Sequence, residues 1–163
     1  MRALKQVLTF YVIILASTYM LAQTTSNPPE IIAKGDQFYC PQSKISVVTD
    51  FNIVSEEEIT DFFVQISSGY VFGADYLELS GTHPGISFSF NATTAKLTLR
   101  AVNGGSISLE DLIAAVKDIR YFSTNENTQG EKFFSFTLGE ANFLPSTGHY
   151  YEFISLVDVT WTE

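Results

Sequence analysis

The sequence predicts a mainly β protein, a Greek-key antiparallel β-sandwich with one short inserted helix. Between residues 44 and 138, apolar and polar side chains alternate with a period of two in most segments, which is typical of half-buried strands. Clusters rich in Gly, Ser and Asn, such as SSGY, GTHPG and VNGGS, separate these segments and favour turns. The 14 Phe and 8 Tyr, with only 17% charged residues, indicate a packed core rather than disorder.

We expect about seven or eight strands in two sheets packed face to face. The clearest strand segments are KISVVTD (44–50), ITDFFVQIS (59–67), DYLELS (75–80), GISFSF (85–90), AKLTLRAV (95–102) and KFFSFTL (132–138). The apolar residues that we expect in the core between the sheets are Val47, Phe63, Ile66, Leu77, Leu79, Phe88, Leu97, Leu99, Tyr121, Phe134 and Phe136.

The segment SLEDLIAAVKDIRYF is the predicted helix, followed directly by a strand around IRYF. Ser108 and Asp111 form a capping box at its start, because a Ser at the N-cap and an acid three residues later satisfy free backbone amides. Its apolar stripe consists of Leu109, Leu112, Ile113, Val116 and Ile119.

The N-terminus has the order of a secretory signal peptide. Arg2 and Lys5 precede an apolar run, and small residues lead to a cleavage point that we expect after Ala22. Residues 1–22 are therefore assigned to the signal peptide and the polar, proline-containing residues 23–30 to a linker. The alternative is an uncleaved membrane anchor, although the run is short for a bilayer span. Either interpretation places the protein outside the cytoplasm, secreted or on the cell surface. Under the signal-peptide interpretation, no membrane span remains after cleavage.

The charge balance excludes several partners. Loss of Arg2 and Lys5 leaves 7 basic residues against 18 acidic ones, a formal charge of −11. Such a surface repels nucleic acid and anionic lipid, so cations are the expected counterpart.

Cys40 is the only cysteine in the sequence, so no disulfide can form within the chain. No basic residue crowds it in sequence, and we therefore expect a buried, inert thiol rather than a reactive or intermolecular one.

Residues 45–143 resemble a cadherin-like repeat of the type found in large bacterial surface adhesins. The likeness is carried by SGYVFGADYLELSG, where Gly69, Tyr70, Gly73, Asp75 and Leu77 fit the turn and strand of that family, followed by NATTAKLTL, the helix segment and FFSFTL. The resemblance implies a cadherin or immunoglobulin-like sandwich, with domain bounds that we set at 31–147.

The final segment, GHYYEFISLVDVTWTE, resembles the first strand and first helical turn of a C-type lectin-like domain. We therefore expect residues 148–163 to be the truncated start of such a domain. The residues with which a lectin domain holds calcium and sugar lie further along its fold, so no lectin site is assigned. The segment should either lie along the sandwich as an added strand or fray.

Calcium is the cofactor that the resemblance implies, bound between repeats by clustered carboxylates. Calcium takes six to eight oxygen ligands, so acidic residues must converge. The densest acidic stretch contains Asp50, Glu56, Glu57, Glu58 and Asp61, of which Asp50, Glu57 and Asp61 are the candidate ligands. The alternative is a solvated acidic loop, since charge runs are usually surface.

No catalytic constellation is visible, and we expect a non-enzymatic protein. His83 lies before Pro84 in a turn, and His149 has no metal-ligand spacing to another His or to Cys. No Gly-x-Ser-x-Gly pattern occurs. Asn91 fits a glycan acceptor triplet but is more simply the start of a hairpin turn.

The leading hypothesis is thus a secreted adhesion or spacer module, whose partners are neighbouring repeats or surface glycans and proteins. The alternative is a stand-alone carbohydrate-binding module that uses surface aromatics, with Tyr39, Tyr70, Phe72 and Tyr76 as the candidates. A third hypothesis is an accessory domain of an exported hydrolase.

Overall fold

The computed structural model describes residues 29–139 and the backbone of residues 152–158. The described elements are β1 (Glu30–Lys34), β2 (Gln37–Tyr39), β3 (Ile45–Ser46), β4 (Asp50–Val54), β5 (Asp61–Ser68), β6 (Asp75–Leu79), β7 (Ile86–Asn91), β8 (Lys96–Ala101), α1 (Leu109–Lys117), β9 (Ile119–Ser123), β10 (Lys132–Leu138) and β11 (Glu152–Asp158). The predicted signal peptide, the linker up to residue 28 and His149 lie outside the described residues.

The strands form three sheets. The large sheet has the order β2-β11-β10-β5-β8-β7, the small sheet has the order β3-β9-β6, and β1 pairs with β4 as a separate ribbon. Among the described strands, every pairing is antiparallel except that between β2 and β11. The protein is therefore mainly β, with antiparallel sheets and one short helix among the described residues, consistent with the predicted β-sandwich.

One continuous apolar core joins the three sheets and the helix. The predicted core is confirmed for Val47, Ile66, Leu77, Leu97, Leu99, Tyr121, Phe134 and Phe136, all of which are buried. Edge-to-face aromatic contacts join the ribbon to the large sheet, since the ring centroids of Phe51 and Phe62 lie 5.7 Å apart. The ribbon and the small sheet thus both cover the large sheet.

Three core predictions need correction. Phe88 is 49% exposed, because it lies on the edge strand β7 where the opposing layer does not cover it. Phe63 is buried but lies outside the core cluster, with the ammonium of Lys96 5.4 Å from its ring centroid. Residues three apart on a strand face opposite sides, so Phe63 and Ile66 cannot both point inward. Leu79 is only partly buried.

The predicted helix is confirmed. The Ser108 hydroxyl accepts a hydrogen bond from the Asp111 amide at 3.1 Å and donates one to the Asp111 carboxylate at 2.7 Å. Leu112, Ala115 and Val116 face the core. Ile119 lies beyond the helix as the first residue of β9, so the helix delivers the chain directly into the small sheet.

The segment KISVVTD is divided between two sheets rather than forming one strand. The Val47 amide donates to Ile119 O in the small sheet at 3.1 Å, whereas the Thr49 amide donates to Lys34 O in the ribbon at 2.6 Å. The chain changes sheets between these two bonds, and β4 then occupies residues that the sequence suggested were part of an acidic loop.

The strand β11 joins the large sheet between β10 and β2. Of the two outcomes expected for the C-terminal segment, residues 152–158 adopt that of an added strand. In the described part of the chain, no helix has the length and apolar character needed to cross a bilayer.

Candidate functional site

A buried carboxylate lies at the corner where the small sheet meets the large sheet. Asp75, the first residue of β6, is fully buried. Its Oδ2 accepts a hydrogen bond from the Val71 amide at 2.7 Å, and its Oδ1 accepts one from the Tyr121 hydroxyl at 2.9 Å. The turn before β6 therefore folds back on its own strand and supplies a donor to the carboxylate.

Glycine makes this turn feasible. Gly69 and Gly73 have positive φ angles of 74° and 79°, a region that disfavours residues with a Cβ. At Gly69 a Cβ would also overlap the backbone carbonyl of Glu131. The close approach of these two backbones brings β10 to the buried carboxylate.

The counter-charge comes from the opposite layer. Lys132, the first residue of β10, has a side chain only 4% exposed, and its Nζ lies 2.8 Å from Asp75 Oδ2. The same ammonium donates to Gly69 O at 2.7 Å. The ion pair therefore joins the small sheet to the large sheet. Asp75, Tyr121 and Lys132 are named the Asp75 centre below.

A neutral hydrogen-bond network extends the Asp75 centre across the same two layers. Tyr39 of β2 accepts a hydrogen bond from the Ser123 amide at 2.8 Å, and its ring packs edge-to-face on Tyr121 with centroids 4.9 Å apart. The Ser123 hydroxyl lies 2.7 Å from the Thr128 hydroxyl. Backbone amides and side chains of both layers thus satisfy one another inside the protein.

The tyrosines of this corner are held in the neutral form. Burial, followed by the nearby Asp75 carboxylate, raises the pKa of Tyr121 well above its ordinary range. Burial also raises the pKa of Tyr39. A buried phenol that already donates to a carboxylate stays protonated. The corner therefore works as a structural clamp, because its charged groups face each other and not the solvent.

The predicted calcium ligands lie at different places on the surface. Asp50 begins β4, Glu57 lies in the loop after β4, and Asp61 begins β5. Because β4 is five residues long, its two ends are separated by roughly 13 Å at about 3.3 Å per residue. Asp50 is therefore at the far end of the strand from the loop that holds Glu57.

Basic residues accompany two of these carboxylates. The Lys117 ammonium lies 3.6 Å from Asp50, and the Arg100 guanidinium forms a salt bridge with Asp61. Glu57 donates its backbone amide to the Ser55 hydroxyl in a local turn. Within residues 29–139, no group of three or more His, Cys, Asp or Glu side chains is arranged to hold a metal ion.

The outer face of the small sheet carries an aromatic stack. Tyr76 of β6 lies opposite Phe122 of β9, and their rings are nearly parallel, at 17°, with centroids 5.2 Å apart. Phe90 of β7 extends the row, with its centroid 6.2 Å from that of Tyr76. The Tyr76 and Phe122 rings project outward because these residues alternate with the inward residues Leu77 and Tyr121, whereas Phe90 lies on the core-facing side of the large sheet.

Charged groups flank the stack. The Lys44 ammonium lies 5.1 Å from the centroid of the Phe122 ring and 2.6 Å from the Glu78 carboxylate. Arg120 lies opposite Glu78 on the neighbouring strand. Tyr76, Phe122, Lys44, Glu78 and Arg120 together are named the aromatic face. It combines flat apolar rings with hydrogen-bond donors and an acceptor, which are the groups that contact sugar rings.

The four aromatic residues predicted to stack on sugars differ in their position and exposure. Tyr39 is 3% exposed and belongs to the buried network, so its prediction as a surface platform is wrong. Tyr70 is partly buried and donates its hydroxyl to Ala92 O at 2.6 Å. Phe72 is 72% exposed in the turn before β6. Tyr76 lies on the aromatic face beside Phe122, which was not among the aromatics predicted from the sequence.

Two further predictions concern single residues. Cys40 is exposed, which corrects the expected buried thiol. It follows Tyr39, whose side chain takes the inward position, and it borders a surface depression with Pro41, Gln42 and Glu126.

Asn91 is confirmed as a hairpin residue, since its Oδ1 accepts a hydrogen bond from the Thr93 amide at 2.9 Å.

Comparison with known proteins gives no assignment: no family model matches the chain, and no match was found among curated proteins or solved structures.

Proposed function

We propose that this chain is a secreted, non-enzymatic adhesion or spacer module of a surface protein. The observation that carries the proposal is the Asp75 centre, through which a buried ion pair joins the two layers that a shared apolar core already holds together. The resemblance of residues 45–143 to a cadherin-like repeat supports the same function.

A spacer must hold its neighbours in a fixed orientation, and therefore must not shear between its layers. The Lys132 ammonium and the Tyr39 hydroxyl both reach from the large sheet to the small sheet. Sliding one layer over the other would expose the Asp75 carboxylate or leave it unpaired in the interior, and an unpaired buried charge is costly. The two layers should therefore resist force as one body.

Single-molecule pulling on the mature chain, held by handles at both ends, tests this role. We expect one unfolding event, and a lower unfolding force for Lys132→Met. The matched control is Lys44→Met, which removes an exposed lysine and should leave the force unchanged. Detachment of the small sheet as a separate early step at low force would overturn the spacer role.

Calcium is part of this proposal as a ligand shared between repeats. Asp50, Glu57 and Asp61 do not converge within one chain, so a neighbouring repeat would have to supply the remaining oxygens. We expect calcium, and not magnesium, to raise the melting temperature of two copies joined in tandem. The single module should respond less. A tandem without any calcium response would remove calcium from the proposal.

A second candidate function is carbohydrate binding, and the aromatic face specifically favours it. The nearly parallel Tyr76 and Phe122 rings offer an apolar surface, while Glu78 and Arg120 provide polar contacts at its border. Each cation of the face has a carboxylate beside it, Glu78 for Lys44 and Asp118 for Arg120, which suits a neutral sugar.

Glycan-array binding by the mature chain tests this second function. We expect Tyr76→Ala and Phe122→Ala to abolish any signal, while Phe72→Ala, which removes an exposed aromatic from the turn instead, should retain it. A silent array with the wild-type chain, or a signal that persists without Tyr76 and Phe122, would reject sugar binding at this face.

A further inference from the structure

The strand β7 forms one edge of the large sheet, and its composition is unusual for an edge. Its sequence, ISFSFN, contains no charged residue, although the chain carries a net charge of −9. Edge strands are usually protected by charges, proline or short length. At the opposite edge of the large sheet β2 has only three residues, and β6 at an edge of the small sheet carries Asp75 and Glu78.

The hydrogen-bond phase of β7 shows which backbone groups face its open side. The Val102 amide donates to Gly85 O at 3.1 Å, which makes residues 85 and 102 a hydrogen-bonded pair. Bonded and non-bonded positions alternate in an antiparallel ladder. The backbone amides and carbonyls of Ser87 and Ser89 therefore point toward β8, whereas those of Phe88 and Phe90 point to the open side of β7. The Ile86 amide agrees with this phase, because it donates to His83 O at 2.9 Å instead of to β8.

The side chains of β7 are equally unprotected. Phe88 and Phe90 lie opposite the buried Leu99 and Leu97, and therefore on the core-facing side of the sheet. Tyr76 covers part of Phe90, whereas Phe88 remains 49% exposed. An added strand would cover Phe88 from the side on which the small sheet ends.

We propose that β7 pairs with β7 of a second copy of this chain, in antiparallel orientation, to form one continuous sheet across a two-fold axis. The sequence of residues 86–90 is nearly palindromic in its pattern, I-S-F-S-F. With Phe88 opposite Phe88 of the second copy, Ile86 meets Phe90 and Ser87 meets Ser89. Each apolar residue then faces an apolar one on the inner side, and each serine faces a serine on the outer side.

The backbone fits this register. The outward Phe88 amide and carbonyl can bond reciprocally with those of the second copy, and the Phe90 amide can donate to Ile86 O. The Ile86 amide is not needed, which agrees with its bond to His83. A two-fold pairing of this kind is closed, so it yields a dimer rather than a fibre. The pairing follows from the strand itself and stands whether or not the module acts in adhesion.

Sedimentation equilibrium of the mature chain over a broad concentration range tests the proposal, in a Cys40→Ser background that prevents disulfide-linked dimers. We expect a reversible dimer. Phe88→Lys should raise its dissociation constant at least about tenfold, because it opposes two like charges and removes the aromatic pair. Phe72→Lys, which alters an exposed Phe away from the edge, should leave the dimer unchanged.

A charge-swap pair tests the register itself. Phe88→Lys and Phe88→Glu should each be largely monomeric alone and should form a heterodimer when mixed, because each charge then faces its opposite. Circular dichroism of each variant verifies that it is folded. A wild-type chain that stays monomeric at all concentrations, or a dimer that Phe88→Lys does not weaken, would overturn the proposal.

Discussion

The acidic stretch from Asp50 to Asp61 and the single carboxylate of Asp75 are opposites in sequence and in structure. The stretch contains five acids within twelve residues, yet Asp50, Glu57 and Asp61 lie at different places in the fold, and two of these three pair with exposed basic residues. Asp75 has no acidic neighbour nearer than Glu78 in sequence, yet it is fully buried and bonded from three sides. The density of acidic residues along the chain therefore does not indicate which carboxylate is buried and paired in the fold.

The difference arises from strand geometry. Acids that are close in sequence on the surface have no reason to point at one centre, and each is solvated or paired locally. An acid at an inward position of an alternating strand is forced into the interior, where it persists only with partners. The inward position of Asp75, on the same face as Leu77, is therefore a better indication of a buried, paired charge than the five clustered acids are.

Removing the Asp75 carboxylate should have the largest effect. Asp75→Ala leaves the Lys132 ammonium buried and unpaired, and we expect it to lower the free energy of unfolding by about 3–5 kcal/mol. Denaturant titration measures the change. Asp50→Ala, the matched change in the acidic stretch, should cost less than about 1 kcal/mol because its partner Lys117 is exposed. Equal losses for the two variants would remove the distinction between the regions.

Removing one hydroxyl from the Asp75 centre should have an intermediate effect. Tyr121→Phe keeps the ring and its contact with Phe134 but deletes a donor to Asp75. We expect the free energy of unfolding to fall by about 1–2 kcal/mol, the cost of an unmade buried hydrogen bond. Tyr76→Phe is the control, since it deletes an exposed hydroxyl bond to Gly73 O. A larger loss from the control would contradict the burial argument.

Alkaline pH should destabilise the buried corner. The pKa of Tyr121 is raised above the ordinary value of 10.0 by burial, so above that pH the unfolded chain releases a proton that the folded chain retains. The stability contribution is complete below pH 10 and falls as the pH rises above it, by up to about 1.4 kcal/mol per pH unit for this group. Denaturation between pH 9 and 11 should show a shallower decline for Tyr121→Phe. Identical slopes would contradict the raised pKa.

Changes in the rest of the acidic stretch should be the smallest. Glu57→Gln removes a charge from an exposed loop residue, and its backbone bond to Ser55 remains. We expect the free energy of unfolding without calcium to change by less than about 0.5 kcal/mol, as for surface substitutions generally. A loss of several kcal/mol would show that the loop has a structural role that its exposure does not suggest.

Sequence patterns predicted the elements that have strong local signals. Alternation located β6, β7, β8 and β10, and the capping box of Ser108 and Asp111 located the start of α1. These patterns did not locate β2, which has only three residues. They also missed β1 and β4, although both strands alternate buried and exposed residues along their five residues. Cys40 was expected to be buried because residue type was considered without the strand alternation that places Tyr39 inward.

The alternation of inward and outward residues along a strand could have revealed the Asp75 centre from the sequence. Lys132 lies on the same strand face as Phe134 and Phe136, just as Asp75 lies with Leu77. Two opposite charges at inward positions of different strands favour a buried ion pair. This alternation does not give the order of the strands, and it is the strand order that brings Lys132 to Asp75 instead of to another acid. The aromatic face needed the same information, since Tyr76 and Phe122 meet only because β6 pairs with β9.

A double-mutant cycle between Asp75 and Lys132 tests most directly the claim that this buried ion pair locks the two layers together. The variants are Asp75→Leu, Lys132→Met and the double variant, compared by denaturant titration. Each single change should be strongly destabilising because it leaves a buried charge alone, while the double change should cost far less than their sum, with a coupling of about 2 kcal/mol or more. Additive losses would contradict the account, since they would mean that the two side chains stabilise the sandwich independently.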